Sequence, residues 1–413
     1  MSSIYNLRPH QQRKAVELLQ ILQQFKIAYL AGEVRSGKTL TALNTANMFN
    51  ANNVLFVTKK SAISSIKSDF KNFGFSYKLT CINYESLHKI ETNDFDLVIY
   101  DEAHSLGAYP KKSKCTKLAK KMFYNIPCIL MSGTPSAETY SQLYHQFYVS
   151  KFSPFKEFTT FYKWAKLFVN KKELRLPTHT VTDYSDAKID NIDKIIKSYM
   201  VTMTQQDAGF TTNITEHILK VDTPHYLSKL AKRLIKDKAI EGKSGYILGD
   251  MPAKLQGKVH QILNGHCIIE TAEGETYTKI FDYYKVEFIR EYFQDQKIAI
   301  MYYYQAELEM LKKIFSYSLT TELDLFNKSD MNIAVQQNST EGLNLSKADA
   351  IVYLNLGFSG KNYIQSRDRL TVKGRKSNNV YFICESGGMT EKILDAVKNK
   401  KSYNNRMFKI DFR

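Results

Sequence analysis

Two α/β lobes in tandem, each built on a parallel sheet, with a mostly helical insertion between their core motifs, are what the 413-residue sequence predicts. Three observations carry this. Short β-branched runs alternate with amphipathic stretches through the first half, the same alternation returns toward the C-terminus, and an aromatic-rich stretch after Pro154 separates the two.

In chain order, IAYLAG, NVLFVT, KLTCIN, FDLVIYD and CILMSG each read as a strand buried on both faces. The polar amphipathic segments between them supply helices on both sides of the sheet. FKEFTTFYKWAKLF reads as core of the helical insertion, which begins at about residue 151; a base-stacking surface is the alternative. HCIIETAEGETYTKIF reads as a hairpin turning near Gly274. KIAIMYYY, MNIAVQQ, AIVYLNL and NNVYFIC then return as strands, interleaved with the helical AELEMLKKIF and TEKILDAVKNKK. The expected division is residues 1–222 for the first lobe with its insertion, and 223–413 for the second.

Composition narrows the partners. Lys and Arg number 58 against 41 Asp and Glu, a net charge of +17. Such an excess favours polyanions, nucleic acid among them. The five cysteines are scattered with no Cys-x-x-Cys pair, which argues against a zinc site or a disulfide framework and for a reducing cytoplasm. No apolar run approaches the roughly 18 residues of a membrane span, and the polar start lacks a signal-peptide core.

Two motifs carry chemistry. GEVRSGKT, Gly32 to Thr39, follows the strand IAYLA and opens a helical stretch. In that order the loop N–H groups and the helix N-terminus face a phosphate. Gly32, Ser36 and Gly37 belong to the cradle, Lys38 is expected to reach the β and γ phosphates of ATP, and the Thr39 hydroxyl to hold Mg2+. FDLVIYDEAH places Asp101 and Glu102 at the end of an apolar strand, where ligand-binding carboxylates of open α/β sheets sit. Asp101 is expected to hold the metal, and Glu102 to polarise the attacking water.

Read with the rest of the chain, these elements resemble the superfamily-two helicases. The resemblance is nearest to the Swi/Snf-type DNA translocases, in a compact form like those carried by bacteriophages. It implies two RecA-like lobes. LRPHQ resembles the adenine-recognition element, with Gln11 as base contact. NVLFVTKKSAISSIKSDF and CINYESL resemble segments leading to the nucleic-acid backbone. SGTP, with Ser132, Gly133 and Thr134, resembles the element coupling hydrolysis to DNA. STEGLNLSKADAIVYLNL resembles the second-lobe glycine motif, with Gly342 and Asn344 in place. YIQSRDR resembles the arginine-bearing motif, in which Gln365, Asp368, Arg369 and Gly374 fit and Val372 stands where the family has a second arginine. Arg369 is the expected lobe-interface arginine, with Lys373, Arg367 and Arg375 as possible substitutes for the missing one.

A motor grips the backbone without reading bases. Thr58, Lys59, Lys60 and Ser61 in the first lobe, and Asn338, Ser339 and Thr340 in the second, are the expected phosphate contacts. The function implied is ATP-dependent movement on double-stranded DNA, in phage replication or recombination with the proteins of that process. An RNA helicase is the alternative on another track, and a nucleotide-gated DNA-binding protein with weak hydrolysis the alternative from another class.

Overall fold

Every apolar run singled out in the first half of the sequence is a strand, and all of them lie parallel. The computed structural model describes residues 6–136, 139–175, 180–211, 213–242, 245–339, 343–372, 375–399 and 403–412, leaving aside the side chains of residues 174, 175, 180, 181, 361, 365, 405 and 406. Two compact units, Met1–Phe210 and Thr211–Arg413, make up the chain.

The first unit's six-stranded sheet runs Lys78–Asn83, Asn53–Thr58, Leu97–Tyr100, Cys128–Ser132, Ile27–Gly32, Met200–Met203 across its width, parallel throughout. Because side chains alternate along a strand, Tyr29, Leu55, Val57, Val98, Tyr100 and Leu130 enter one core, while Leu30, Phe56, Ile99 and Met131 enter another on the opposite face. Both faces are therefore covered, as the continuous apolar runs require. The strand Met200–Met203 was not expected.

The aromatic segment after Pro154 packs as core. Phe155, Phe161, Trp164 and Phe168 are buried, and the helix Phe161–Phe168 starts on Thr160, whose hydroxyl accepts from the Lys163 N–H. Removing a buried indole of this kind costs roughly 3–5 kcal/mol. The insertion is less purely helical than expected, since Lys172–Arg175 and Thr180–Asp183 form an antiparallel pair.

The second unit's sheet runs Leu319–Thr320, Asn332–Gln336, Ile298–Tyr302, Ala350–Tyr353, Ser377–Glu385, Asn213–Val221, again all parallel. Asn213–Val221 pairs along its whole length with Ser377–Glu385. That pairing puts the division between Phe210 and Thr211, ahead of the boundary read from the sequence. The expected hairpin is present as His266–Glu270 against Thr276–Ile280, with Gly274 at φ +83° in its turn. It belongs to a four-stranded antiparallel sheet completed by Ala239–Gly242 and Gly245–Leu248. No helix among the described residues is long and apolar enough to cross a membrane.

Candidate nucleotide site and nucleic-acid face

The strand Cys128–Ser132 lies between the phosphate-loop strand and the acidic strand, with Ala31 beside Ser132 and Tyr100 beside Leu130. Three neighbouring parallel strands thus deliver GEVRSGKT, SGTP and DEAH to one edge of the sheet, the edge where open α/β sheets bind ligands.

The loop turns through two left-handed positions, Arg35 at φ +65° and Gly37 at φ +93°. Gly37 serves a second purpose, since a Cβ there would lie 2.3 Å from Gln11 Nε2. Lys38 Nζ donates to the Gly32 carbonyl at 2.7 Å and to that of Glu33 at 3.0 Å, so its ammonium is held inside the curl of the loop. A Cβ on Gly32 would overlap the Lys38 side chain. Gly133 comes within reach of the same ammonium, 3.6 Å from where its Cβ would stand. Thr39, half-buried, follows in the first turn of the helix Lys38–Met48.

The LRPHQ element braces this loop. His10 Nε2 lies 3.0 Å from the Ser36 carbonyl, Gln11 Nε2 donates to the Gly37 carbonyl at 3.3 Å, and Gln11 Oε1 accepts from the Arg8 N–H. Both ends of the Gln11 amide are engaged and the residue is buried. A base contact would require it to release Gly37. From the other side, Gln205 N donates to Glu33 Oε2 at 2.6 Å and Gln205 Nε2 to the Val34 carbonyl at 3.1 Å. His10 and Gln205 were missed in the sequence. His10 had a signal, lying inside a motif already singled out; Gln205 had none, its partners being more than 170 positions away.

Asp101 is fixed on several sides. Thr58 Oγ1 donates to its Oδ2 at 2.8 Å, the Glu102 N–H donates to its Oδ1, and Tyr84 OH donates to its carbonyl at 2.6 Å. Glu102 takes the left-handed φ of +48°, a strained conformation for a non-glycine residue and one that clusters at functional sites. This corrects one expectation. Thr58 is fully buried with its hydroxyl committed to Asp101, and a phosphate of a nucleic-acid strand has no path to it. Being the last residue of its strand, it turns inward to the acid rather than outward with Lys59, Lys60 and Ser61. Tyr84 of CINYESL is likewise buried against the acidic box.

His104 joins the acidic box to SGTP. Its Nδ1 is 2.9 Å from Ser132 Oγ and 3.2 Å from Glu102 Oε2, and Ser132 Oγ also accepts from the Thr134 N–H. Behind them, Tyr29 OH donates to Gln146 Oε1, and Gln146 Nε2 to the Pro135 carbonyl. Against this geometry, a family model described as SNF2-related domain matches residues 22–264, more than half of the chain. The chain belongs to the SNF2-related family.

SNF2-related proteins are Swi/Snf-type ATPases of superfamily two, and the tandem parallel sheets are the two RecA-like lobes expected of one. Two solved structures from Sulfolobus solfataricus are similar to this SNF2-related chain. A SWI2/SNF2 ATPase core in complex with double-stranded DNA is 14% identical, covers 96% of this chain and 92% of its own, and has a TM-score of 0.45. The core domain without DNA is 13% identical, covers 97% and 90%, and has a TM-score of 0.41. No curated protein matches the sequence.

In the second lobe of this SNF2-related chain the arginines separate by their partners. Arg375 donates to the carbonyls of Ser377, Ser346, Ala348 and Asp349, tying the loop before one strand to the segment before another. Arg367 pairs with Glu216 at 3.4 Å and with Asp368 at 3.6 Å, over the Tyr363 ring. Both are therefore engaged by groups of their own lobe. Arg369 is buried in the turn Asp368–Leu370, its carbonyl accepting from the Leu345 N–H of the glycine motif. Lys373, Gly374, Gly342 and Thr340 lie outside the described residues, as does the side chain of Gln365.

Lys60, Ser61, Asn338 and Ser339 are exposed and Lys59 half-buried. Each of the two loops follows the C-terminal end of a strand, Asn53–Thr58 in one lobe and Asn332–Gln336 in the other.

Proposed function

We propose that this chain is an ATP-driven translocase on double-stranded DNA. The observation that carries it is the meeting of Lys38, Asp101, Glu102 and Ser132 at one sheet edge, with His104 bonded to the last residue of the middle strand. Lys38 would exchange its two loop carbonyls for the β and γ phosphates, and the loop N–H groups would take the remaining charge. Glu102 would orient the attacking water, and Arg369 would stabilise the transferred phosphoryl group.

Mg2+ fits the residues present. The Thr39 hydroxyl and the Asp101 carboxylate are hard oxygen donors, and Asp101 is already held by Thr58 and the Glu102 N–H. Bound there, the ion would neutralise charge developing between the β and γ phosphates.

The His104–Ser132 bond supports a coupling role for Ser132, Gly133 and Thr134. Exposed Lys60, Ser61, Asn338 and Ser339, together with Lys59, support phosphate contacts to the tracking strand, and the net charge of +17 supports a polyanionic track. The LRPHQ and GLNL elements favour duplex DNA over RNA by family. A second reading, a nucleotide-gated DNA binder with weak hydrolysis, is favoured by Val372 alone.

ATP hydrolysis with duplex DNA, single-stranded DNA or RNA, alongside Lys38→Ala, tests the proposal. Stimulation by duplex DNA that the variant abolishes is expected. Stimulation by RNA only would move the chain to an RNA track, and tight ATP binding with background turnover on every polymer would favour the gated binder.

A further inference from the structure

Past the acidic box the chain carries Lys111, Lys112, Lys114, Lys117, Lys120 and Lys121, and no acidic residue occurs from Ala103 to Ala137. Lys112 Nζ donates to Tyr148 OH at 2.9 Å, while Lys120 Nζ stands 3.4 Å from the centre of the same ring. Two ammonium groups converging on one phenol repel each other, and a bound anion would relieve that repulsion.

Beside them opens a cavity of about 270 Å³ lined by Lys111, Lys112, Lys117, Tyr148, Phe161 and Tyr162, with no acidic residue in its wall. The rim adds the exposed Thr159. Tyr162 is 45% exposed although its helix neighbours Phe161 and Trp164 are core. The aromatic stripe thus has two faces, one packed inward and one ring held at the mouth of a basic cavity. Tyr184 packs edge-on to both Phe161 and Tyr162, which holds that ring in place.

Ammonium groups beside an open aromatic face suit a ligand that carries phosphate next to a planar ring. Duplex DNA offers phosphates but keeps its base faces stacked, whereas a single strand offers both. The geometry points to a second nucleic-acid site in the first lobe, taking one unpaired nucleotide of a single strand with its phosphates on Lys111 and Lys117 and its base on Tyr162. The site lies apart from the phosphate loop and needs no nucleotide to form. Its wall residue His145 shares a short helix, Gln142–Phe147, with Gln146, which bonds the Pro135 carbonyl of SGTP.

Fluorescence anisotropy without ATP tests it, using the full chain with labelled oligothymidylate, an abasic strand of equal length, and duplex DNA. Lys111→Ala combined with Lys117→Ala is expected to weaken oligothymidylate binding about tenfold and to reduce its log–log salt slope by about 1.4, two phosphates at ~0.7 each. Duplex affinity should change less than about threefold, given contacts elsewhere. Tyr162→Ala should weaken oligothymidylate but leave the abasic strand unchanged, and Tyr162→Phe should bind as the unaltered chain does. Equal losses on duplex and single strand would overturn the proposal in favour of general surface charge. Tyr162→Ala acting alike on thymidylate and abasic strands, or on neither, would also overturn it.

Discussion

His104 Nδ1 lies 2.9 Å from Ser132 Oγ, so the acidic box and the end of the strand Cys128–Ser132 share one hydrogen bond. The same nitrogen is 3.2 Å from Glu102, and the nearby carboxylate favours the tautomer with its proton on Nδ1. A shift of SGTP would therefore be felt at Glu102, the acid proposed to orient water. Ser132→Ala removes this link and is expected to lower DNA-stimulated hydrolysis about fivefold, matching a net hydrogen bond of ~1 kcal/mol. Unstimulated hydrolysis and ATP binding should hold. Steady-state rates with and without duplex DNA read the difference, and an equal fall in both rates would remove the coupling role.

Thr58 holds Asp101 rather than a phosphate backbone. Thr58→Val keeps the volume and deletes the donor, leaving a carboxylate oxygen without its partner. A fall in kcat of about tenfold is expected, equivalent to ~1.4 kcal/mol of barrier, with unchanged DNA affinity. A parallel DNA-binding titration checks the second half, and weaker DNA binding at full kcat would restore the original reading of this residue.

Arg369 and Arg375, on either side of Val372, should behave differently. Arg369→Ala is expected to cut kcat by roughly a hundredfold or more, as loss of a phosphate-stabilising arginine does. Arg375→Ala strands several carbonyls and should lower unfolding stability by about 1–3 kcal/mol, with kcat per folded molecule preserved. Urea unfolding beside single-turnover hydrolysis separates the two effects. A catalytic loss at Arg375 with no loss at Arg369 would reverse the assignment.

Stability should fall on mild acidification, because two histidines are buried in the second lobe. Burial pushes His260 down to about 3 and His266 down to about 4, with the Lys285 ammonium adding to both. Around them lie Tyr304, Phe358, Lys285 and Glu385. Since their folded values lie below the ordinary value near 6.5, the unfolded chain binds the protons first. The stabilisation is complete above about pH 6.5 and is lost as pH falls toward 4. Two such groups lose about 2–3 kcal/mol between pH 7.5 and 5.5. Urea midpoints at those pH values test this, and His266→Asn should remove about half of the slope.

The buried Lys285–Glu385 pair acts lower on the pH scale. Burial raises the Glu385 carboxyl, but Lys285 at 2.6 Å and the Thr390 hydroxyl outweigh it and hold it at about 2. A depressed carboxylate stabilises the fold above its unfolded value near 4.3, and that contribution is lost as pH falls from there toward 2. Lys285→Met should cost about 3–5 kcal/mol by leaving Glu385 buried and charged without its counter-ion. The double variant Lys285→Met with Glu385→Gln should recover most of this, and the same urea midpoints read both.

Legibility followed the range of the forces. GEVRSGKT and DEAH could be read because a strand end, a glycine turn and a helix start are all set by neighbouring residues. The edge strand Asn213–Val221 could not, because Glu216, His217 and Lys220 break its apolar pattern and its pairing depends on Ser377–Glu385. Thr58 was misread for a related reason. A hydroxyl at a strand end looks the same in sequence whether it faces solvent or a carboxylate 43 positions away.

The sequence by itself determined the two lobes, the phosphate loop and the acidic pair, since hydrophobic period and local turn chemistry are carried by adjacent residues. Only the tertiary structure decided that Cys128–Ser132 lies between the two motif strands, that His104 meets Ser132, that Arg367 and Arg375 are engaged elsewhere, and that Tyr162 opens onto a basic cavity. Each of these depends on which strand pairs with which and on the direction a side chain takes. Both are settled by burial of distant segments against one another.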